Sequence, residues 1–297
     1  MVKLYLITGF LGAGKTTLLK NMVRLFAGER LAILVNEFGR EDVDGKLLGE
    51  LHVQLEEIHN GSIFCACRLD QFESSLSALL DNSPDTILVE TSGLSDPSGI
   101  GRLLAQPLFA DRIDYRGCIC IVDAMRFEKV LQTAVSCRKQ LAVSDIVVIN
   151  KTDLADENRK QYIRELIRRH GPAVPVFETS YGEMRQEWLD ALAPCVGEKK
   201  NTGIQTRDLS LQSFTATLQD GASVERLEAF LQEMAHDTHR IKGFVSLNGQ
   251  SRLVDCVGEA IAVHPSTTAA RPNNKLIILA GHGKPARKTL HRSLFQG

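Results

Sequence analysis

The chain has 297 residues, 43% of them hydrophobic and 24% charged. These are ordinary globular values, and the length allows one large or two ordinary domains with ample core. A formal net charge of −1 gives no electrostatic case for nucleic acid or a membrane surface, and no apolar run approaches the length of a membrane span.

Residues 3–8 form an apolar, strand-like run that leads straight into Gly9-Phe10-Leu11-Gly12-Ala13-Gly14-Lys15-Thr16-Thr17. An apolar start of this kind reads as a strand and not as a signal peptide. The nine residues fit G-x-x-x-x-G-K-[ST], the phosphate-binding loop of nucleoside triphosphatases. Gly9, Gly12 and Gly14 allow a tight turn whose N–H groups, with those of Ala13 and Thr17, converge on one anion. Lys15 is placed to reach the β- and γ-phosphates, and the Thr16 hydroxyl to hold Mg²⁺. Residues 16–26 then read as a helix whose positive dipole end points at the phosphates.

A strand follows at residues 31–36 and a helix at 69–80. Residues 86–90 read as a buried strand ending in Glu90-Thr91-Ser92-Gly93. Phosphate-loop enzymes keep the group that senses Mg²⁺ and the γ-phosphate at such a place. Glu90 is expected to bind Mg²⁺ or orient the attacking water, and Gly93 to let its N–H approach the γ-phosphate. Taken alone, Glu90 would be an ordinary solvated strand end; the order of the motifs gives it meaning.

Further helices are expected at residues 98–105, 126–135 and 157–170, and strands at 117–122, 146–150 and 174–178. The run at 146–150 ends in Asn150-Lys151-Thr152-Asp153, an N-K-x-D motif. An aspartate accepts from both the ring N–H and the exocyclic amino group of guanine, whereas adenine leaves it unpaired. Asp153 therefore points to GTP, with Asn150 completing the purine contact and the Lys151 stem lying along the base. A plain loop-to-helix junction with an N-capping aspartate is the competing explanation.

Alternation of strands and helices predicts an α/β fold, a P-loop NTPase with a mainly parallel sheet and helices on both faces. The pattern changes after residues 188–192. Residues 198–207 read as a linker between a nucleotide domain at 1–197 and a second domain at 208–297. That second part shows a strand near 209–218, a helix near 224–236, and strands near 241–247, 251–257, 259–264 and 275–281, a small α+β domain. The seven cysteines, Cys65, Cys67, Cys118, Cys120, Cys137, Cys195 and Cys256, are odd in number and mostly in apolar runs. That fits a reducing, cytoplasmic setting better than a disulfide framework.

The chain resembles the CobW-type family of metallochaperone GTPases. The resemblance lies in Ile7 through Leu18 around the phosphate loop, Val35-Asn36-Glu37-Phe38-Gly39, Asn60-Gly61, Glu90-Thr91-Ser92-Gly93-Leu94-Ser95-Asp96-Pro97, Asn150-Lys151-Thr152-Asp153 and Arg240-Ile241-Lys242-Gly243-Phe244. It implies a GTP hydrolase that couples nucleotide state to metal delivery to a client metalloprotein or cofactor pathway, with a CobW-type carboxyl-terminal domain.

One stretch departs from the family. Where relatives carry N-G-C-I-C-C, this chain has Asn60-Gly61-Ser62-Ile63-Phe64-Cys65-Ala66-Cys67. Ser62 and Phe64 replace two cysteines, Cys65 matches the last, and Cys67 is an extra thiol. Two thiolates with the Glu37 carboxylate form a donor set that suits Zn²⁺ or Co²⁺, with His59 as a candidate fourth ligand. Two ordinary buried thiols at a lost metal site are the alternative. Glu37 has a second reading as a catalytic switch residue beside Mg²⁺.

The expected cycle has GTP·Mg²⁺ ordering residues 37–44 and 90–96. No arginine finger is evident, so hydrolysis is expected to be slow, with acceleration by a partner or by homodimer formation. A regulatory GTPase or scaffold that handles no metal stays open, its second domain binding a protein or corrinoid-type client. A small-molecule kinase is disfavoured by N-K-x-D and Glu90.

Overall fold

β1 (Val2–Thr8) is apolar on both sides of its pleat and becomes the central strand of a seven-stranded sheet. The other strands are β2 (Leu31–Asn36), β3 (Gln54–Ile58), β4 (Thr86–Glu90), β5 (Ile113–Asp123), β6 (Ile146–Asn150) and β7 (Val176–Glu178). Their order is β3-β2-β4-β1-β5-β6-β7, and every pairing is parallel. The computed structural model describes residues 1–36, 54–58, 69–192, 211–218, 223–266 and 274–281.

Described helices of this part are α1 (Lys15–Leu25), α2 (Leu69–Asp81), α3 (Ile100–Leu104), α4 (Phe127–Thr133), α5 (Val135–Ala142), α6 (Glu157–His170) and α7 (Gln186–Asp190). Period-two alternation sends each strand's side chains to opposite faces. Tyr5 and Ile7 join Ile33, Leu88 and Val148 under Leu18, Leu19 and Met22 of α1 and Trp188 of α7. Leu4 and Leu6 join Leu34, Ile87 and Val89 under Phe72, Leu76 and Leu79 of α2 and Leu103 of α3. Burial on both faces explains why these strands read as unbroken apolar runs. Strand order departs from β1 in both directions, so the crevice at its carboxyl end is the place where an open α/β sheet binds ligands.

Several expectations hold to the residue: the strands at 31–36, 86–90 and 146–150, and the helix at 157–170. Others shift. β5 begins at Ile113, because its first residues pair with Val2–Leu4 before an irregularity between Leu4 and Tyr5. Asp114 and Arg116, an ion pair on that polar lead-in, concealed it. The expected helix at 98–105 starts as a 3-10 turn, Pro97–Gly99, capped by Asp96. β3 and α5 had no counterpart in the sequence reading.

The chain divides into units Met1–Asp208 and Leu209–Gly297. In the second unit β8 (Leu211–Thr217), β9 (Thr238–Leu247), β10 (Gln250–Val257), β11 (Val263–Pro265) and β12 (Lys275–Gly281) form a five-stranded sheet, order β11-β10-β9-β12-β8, antiparallel throughout. α8 (Val224–Ala235), capped by the Ser223 hydroxyl, lays Leu227, Leu231 and Met234 on Ile241, Val245, Leu276 and Ile278. This is the expected α+β arrangement. β11 is shorter than read, because a turn at Gly258 and Glu259, closed by a bridge between Val257 and Ala260, takes up its start.

Candidate nucleotide site

The loop after β1 turns on glycines that the surroundings require. Gly14 has φ 104°, and a Cβ there would lie 2.3 Å from Nδ2 of Asn150. Any side chain would break that contact as well as strain the backbone. Gly14 also stands at the N-cap of α1, so no side chain caps the first turn and its N–H groups face the loop's concavity. Lys15 is buried and curls over the loop, its Nζ donating to the Phe10 carbonyl at 3.4 Å.

The Thr16 hydroxyl donates to Oε1 of Glu90 at 3.3 Å, so the two expected Mg²⁺ ligands meet although 74 residues apart. Glu90 is only 4% exposed, aligned with Ile7 of β1 on one side and Val35 of β2 on the other. A hydroxyl and a carboxylate form the sparse, hard-oxygen set that Mg²⁺ takes beside phosphates. Gly93 follows on a turn pressed against the phosphate loop: a Cβ there would lie 2.5 Å from Cδ2 and 2.7 Å from the backbone nitrogen of Leu11.

At the N-K-x-D motif, the Asn150 side chain lies between two backbone groups. Its Nδ2 donates to the Ala13 carbonyl at 2.9 Å, and its Oδ1 accepts from the Gly182 N–H at 3.0 Å. The amide thus joins the phosphate loop to the loop after β7. Lys151 adopts a left-handed backbone, φ 63°, and its Nζ meets Oδ2 of Asp123 at 2.7 Å. Asp153 is exposed, its N–H donating to the Ser180 hydroxyl at 3.1 Å.

Sequence reasoning missed Asp123 and the loop at residues 179–182. Asp123 ends β5 as Glu90 ends β4, an acid after an apolar run, and that signal was available. Its Oδ1 accepts from the N–H groups of Met125 and Arg126, which fixes the carboxylate that holds Lys151. The second loop is tied to the motif by Thr152, whose hydroxyl donates to the Thr179 carbonyl at 2.8 Å. Asn21 of α1 donates to the carbonyls of Tyr181 and Gly182.

The expected transition-metal residues Glu37, Cys65 and Cys67, with His59, lie outside the described residues, as do the segment 37–44 and the linker 198–207. Among the described residues no group of three or more His, Cys, Asp or Glu side chains is gathered for a metal ion. Cys118, Cys120, Cys137 and Cys256 are buried, and burial pushes the thiols of Cys120 and Cys256 up from their ordinary range, that of Cys120 strongly. No helix of the described residues is long and apolar enough to cross a membrane.

A phosphate loop between β1 and α1, with an acid beside it at the end of β4 and N-K-x-D at the end of β6, defines a P-loop nucleotide-binding protein. The chain belongs to the CobW family: residues 3–178 match the CobW/HypB/UreG nucleotide-binding domain, and residues 211–295 the cobalamin synthesis protein cobW C-terminal domain. It is 32% identical over 186 residues to the zinc chaperone YjiA of Escherichia coli K12, a match covering 60% of this chain and only 58% of that relative. It is 29% identical over 303 residues to the zinc chaperone CobW of a Sinorhizobium species, covering 86% and 85% of the two. The crystal structure of Zn(II)-bound YjiA GTPase from E. coli aligns over 99% of both chains, with a TM-score of 0.50 and 21% identity, a likeness of fold.

Proposed function

We propose that this protein binds and hydrolyses GTP and couples its nucleotide state to the handling of a divalent transition metal, zinc foremost and cobalt next, for delivery to a client metalloprotein or cofactor pathway in the cytoplasm. The observation that carries the nucleotide part is the meeting of Thr16 and Glu90 beside a buried Lys15. The metal part rests on relatives named zinc chaperones and on Glu37, Cys65 and Cys67 in the sequence.

In this reading the N–H groups of residues 12–17 cradle the β-phosphate, and Lys15 leaves the Phe10 carbonyl for the β- and γ-phosphate oxygens. Thr16 and Glu90 hold Mg²⁺, which when bound neutralises charge developing on the phosphate oxygens. Gly93 offers its N–H to the γ-phosphate, and Glu37 orients water or shares the metal. Asp153 accepts from the guanine ring N–H and amino group, while Lys151, steadied by Asp123, lies along the base. Turnover is slow without a partner or a second copy, because the sequence offers no evident arginine finger.

The test is nucleotide and metal binding measured together. Lys15→Ala should abolish GTP binding and hydrolysis, and anaerobic Zn²⁺ and Co²⁺ titrations should give different affinities with GDP and with a non-hydrolysable GTP analogue. Hydrolysis retained by Lys15→Ala overturns the nucleotide reading. Metal affinity blind to nucleotide, without a thiolate-to-Co²⁺ band, overturns the metal reading and leaves a GTPase whose client is bound in another way.

A further inference from the structure

The turn that carries Gly93 is held from behind by a helix that sequence reasoning did not foresee. Gln140 of α5 is 1% exposed, and its Nε2 donates both to the Gly93 carbonyl at 3.1 Å and to the Ser95 carbonyl at 3.0 Å. One residue earlier, Lys139 reaches Oδ2 of Asp96 at 2.6 Å, with both side chains largely buried. Asp96 uses its other oxygen to accept the Ser98 N–H and so caps the 3-10 turn that follows.

Adjacent residues of one helix thus grip three acceptors spread over residues 93–96. On its front, Gly93 lies against Leu11 of the phosphate loop, closely enough that no Cβ would fit. The turn is clamped between loop and helix.

A purely packing helix would put apolar side chains at this contact. A buried amide is costly unless it is bonded, and a buried ammonium more so. Gln140 also lines a small cavity, about 20 Å³, with Phe10, Leu11 and Cys137, and its Oε1 accepts no hydrogen bond from the described residues. α5 also continues through residues 143–145 into β6, which ends in Asn150. The same short segment therefore connects the turn at Gly93 to the base motif.

We propose that Lys139 and Gln140 are positioning residues for the γ-phosphate. They hold the turn at residues 93–96 where its backbone meets a triphosphate, so that discrimination of GTP from GDP, and hydrolysis, depend on α5 while diphosphate binding does not. The proposal rests on the GTPase reading above. Its physical content is preorganisation: a backbone donor fixed in place before the charge develops acts far better than one that must be ordered at that moment.

The experiment compares wild type with Gln140→Leu, Gln140→Glu and Lys139→Met, with Lys139→Arg as the conservative control. GDP affinity, affinity for a non-hydrolysable GTP analogue, and single-turnover hydrolysis are measured on the full chain. Gln140→Glu keeps the shape but, ionised, presents an acceptor to two carbonyls. Expected is a fall of about 10- to 100-fold in hydrolysis and loss of preference for the analogue, with GDP affinity within about twofold. Lys139→Arg should recover most of the loss caused by Lys139→Met. Unchanged hydrolysis in all variants overturns the proposal. So does an equal loss of GDP and analogue binding, which would mark a general structural role. Lys139→Met sits nearer the surface and keeps the test decisive should the Gln140 variants fail to fold. A wild-type chain that binds no guanine nucleotide fails at the earlier reading, and this proposal falls with it.

Discussion

Nδ2 of Asn150 donates to the carbonyl of Ala13, 137 residues earlier, at 2.9 Å. The residue that opens the base motif is therefore also a strut of the phosphate loop, and its Oδ1 holds the Gly182 N–H at the same time. One buried side chain thus ties the phosphate loop to the loop after β7.

Asn150→Ala removes the partners of two backbone groups at once. Each buried polar group left unpaired costs about 1–3 kcal/mol. Both the thermal midpoint and the affinity for GDP should fall, and GTP should fall in parallel because the loss lies upstream of the γ-phosphate. A variant with wild-type stability and nucleotide affinity would show that the strut is idle.

Asp123→Ala tests the base side alone. Lys151 loses the carboxylate at 2.7 Å that keeps its stem in place, while Thr16, Glu90 and Gly93 keep their own contacts. Loss of a charge-assisted hydrogen bond is expected to weaken GTP and GDP equally, by about 10- to 100-fold. Measured Kd values decide it. A loss confined to GTP would place Asp123 at the phosphates instead.

Thiol accessibility bears on the metal reading. Cys118, Cys120, Cys137 and Cys256 are buried, and burial raises the thiol of Cys120 well above its ordinary value, which disfavours the reactive thiolate. Native protein treated with a maleimide should leave these four unlabelled, with labelling at Cys65 and Cys67 that zinc suppresses. Peptide mass spectrometry reads the sites. Zinc that protects neither Cys65 nor Cys67 would remove them from the ligand set, and Cys65→Ser/Cys67→Ser should then bind zinc as wild type does.

Legibility in the sequence followed burial. β2, β4 and β6 sit inside the sheet with apolar side chains on both faces, so their residues left no other reading. The phosphate loop and N-K-x-D were legible for a related reason: the chemistry demands particular residues at fixed spacing. α5 was not, since its Ser136, Lys139 and Gln140 would have indicated a solvent face. Ser136 and Gln140 are buried, and Gln140 answers backbone carbonyls of a turn more than forty residues earlier, a pairing that no local pattern encodes. The link from Asn150 to the phosphate loop was illegible for the same reason, because its partner Ala13 is remote. Only the start of β5 hid, behind Asp114 and Arg116, which pair with each other at the strand's polar lead-in.

The far end of the sheet supplies a pH test that is independent of the site. Arg30, before β2, and Asp85, before β4, meet through Nη2 and Oδ1 at 2.7 Å and Nε and Oδ2 at 3.1 Å, and the Arg30 N–H adds a third bond at 2.9 Å. The Arg30 side-chain hydrogen bonds, aided by that backbone bond, lower the Asp85 carboxyl from 3.8 to about 2. A carboxyl held below its unfolded value stabilises the fold above about pH 4, and that contribution fades as pH falls from there through about 2. Asp85→Asn should therefore lower the denaturation midpoint at pH 7, and the gap from wild type should close as pH drops toward 2. The pair is solvent-exposed, so added salt should narrow the gap at pH 7 as well. Arg30 and Asp85 lie at the amino ends of their strands, opposite the phosphate loop, and GDP affinity should not change. A gap that stays constant across pH and salt would mean that the carboxylate's charge plays no part, and that the substitution acts through the geometry of the amide alone.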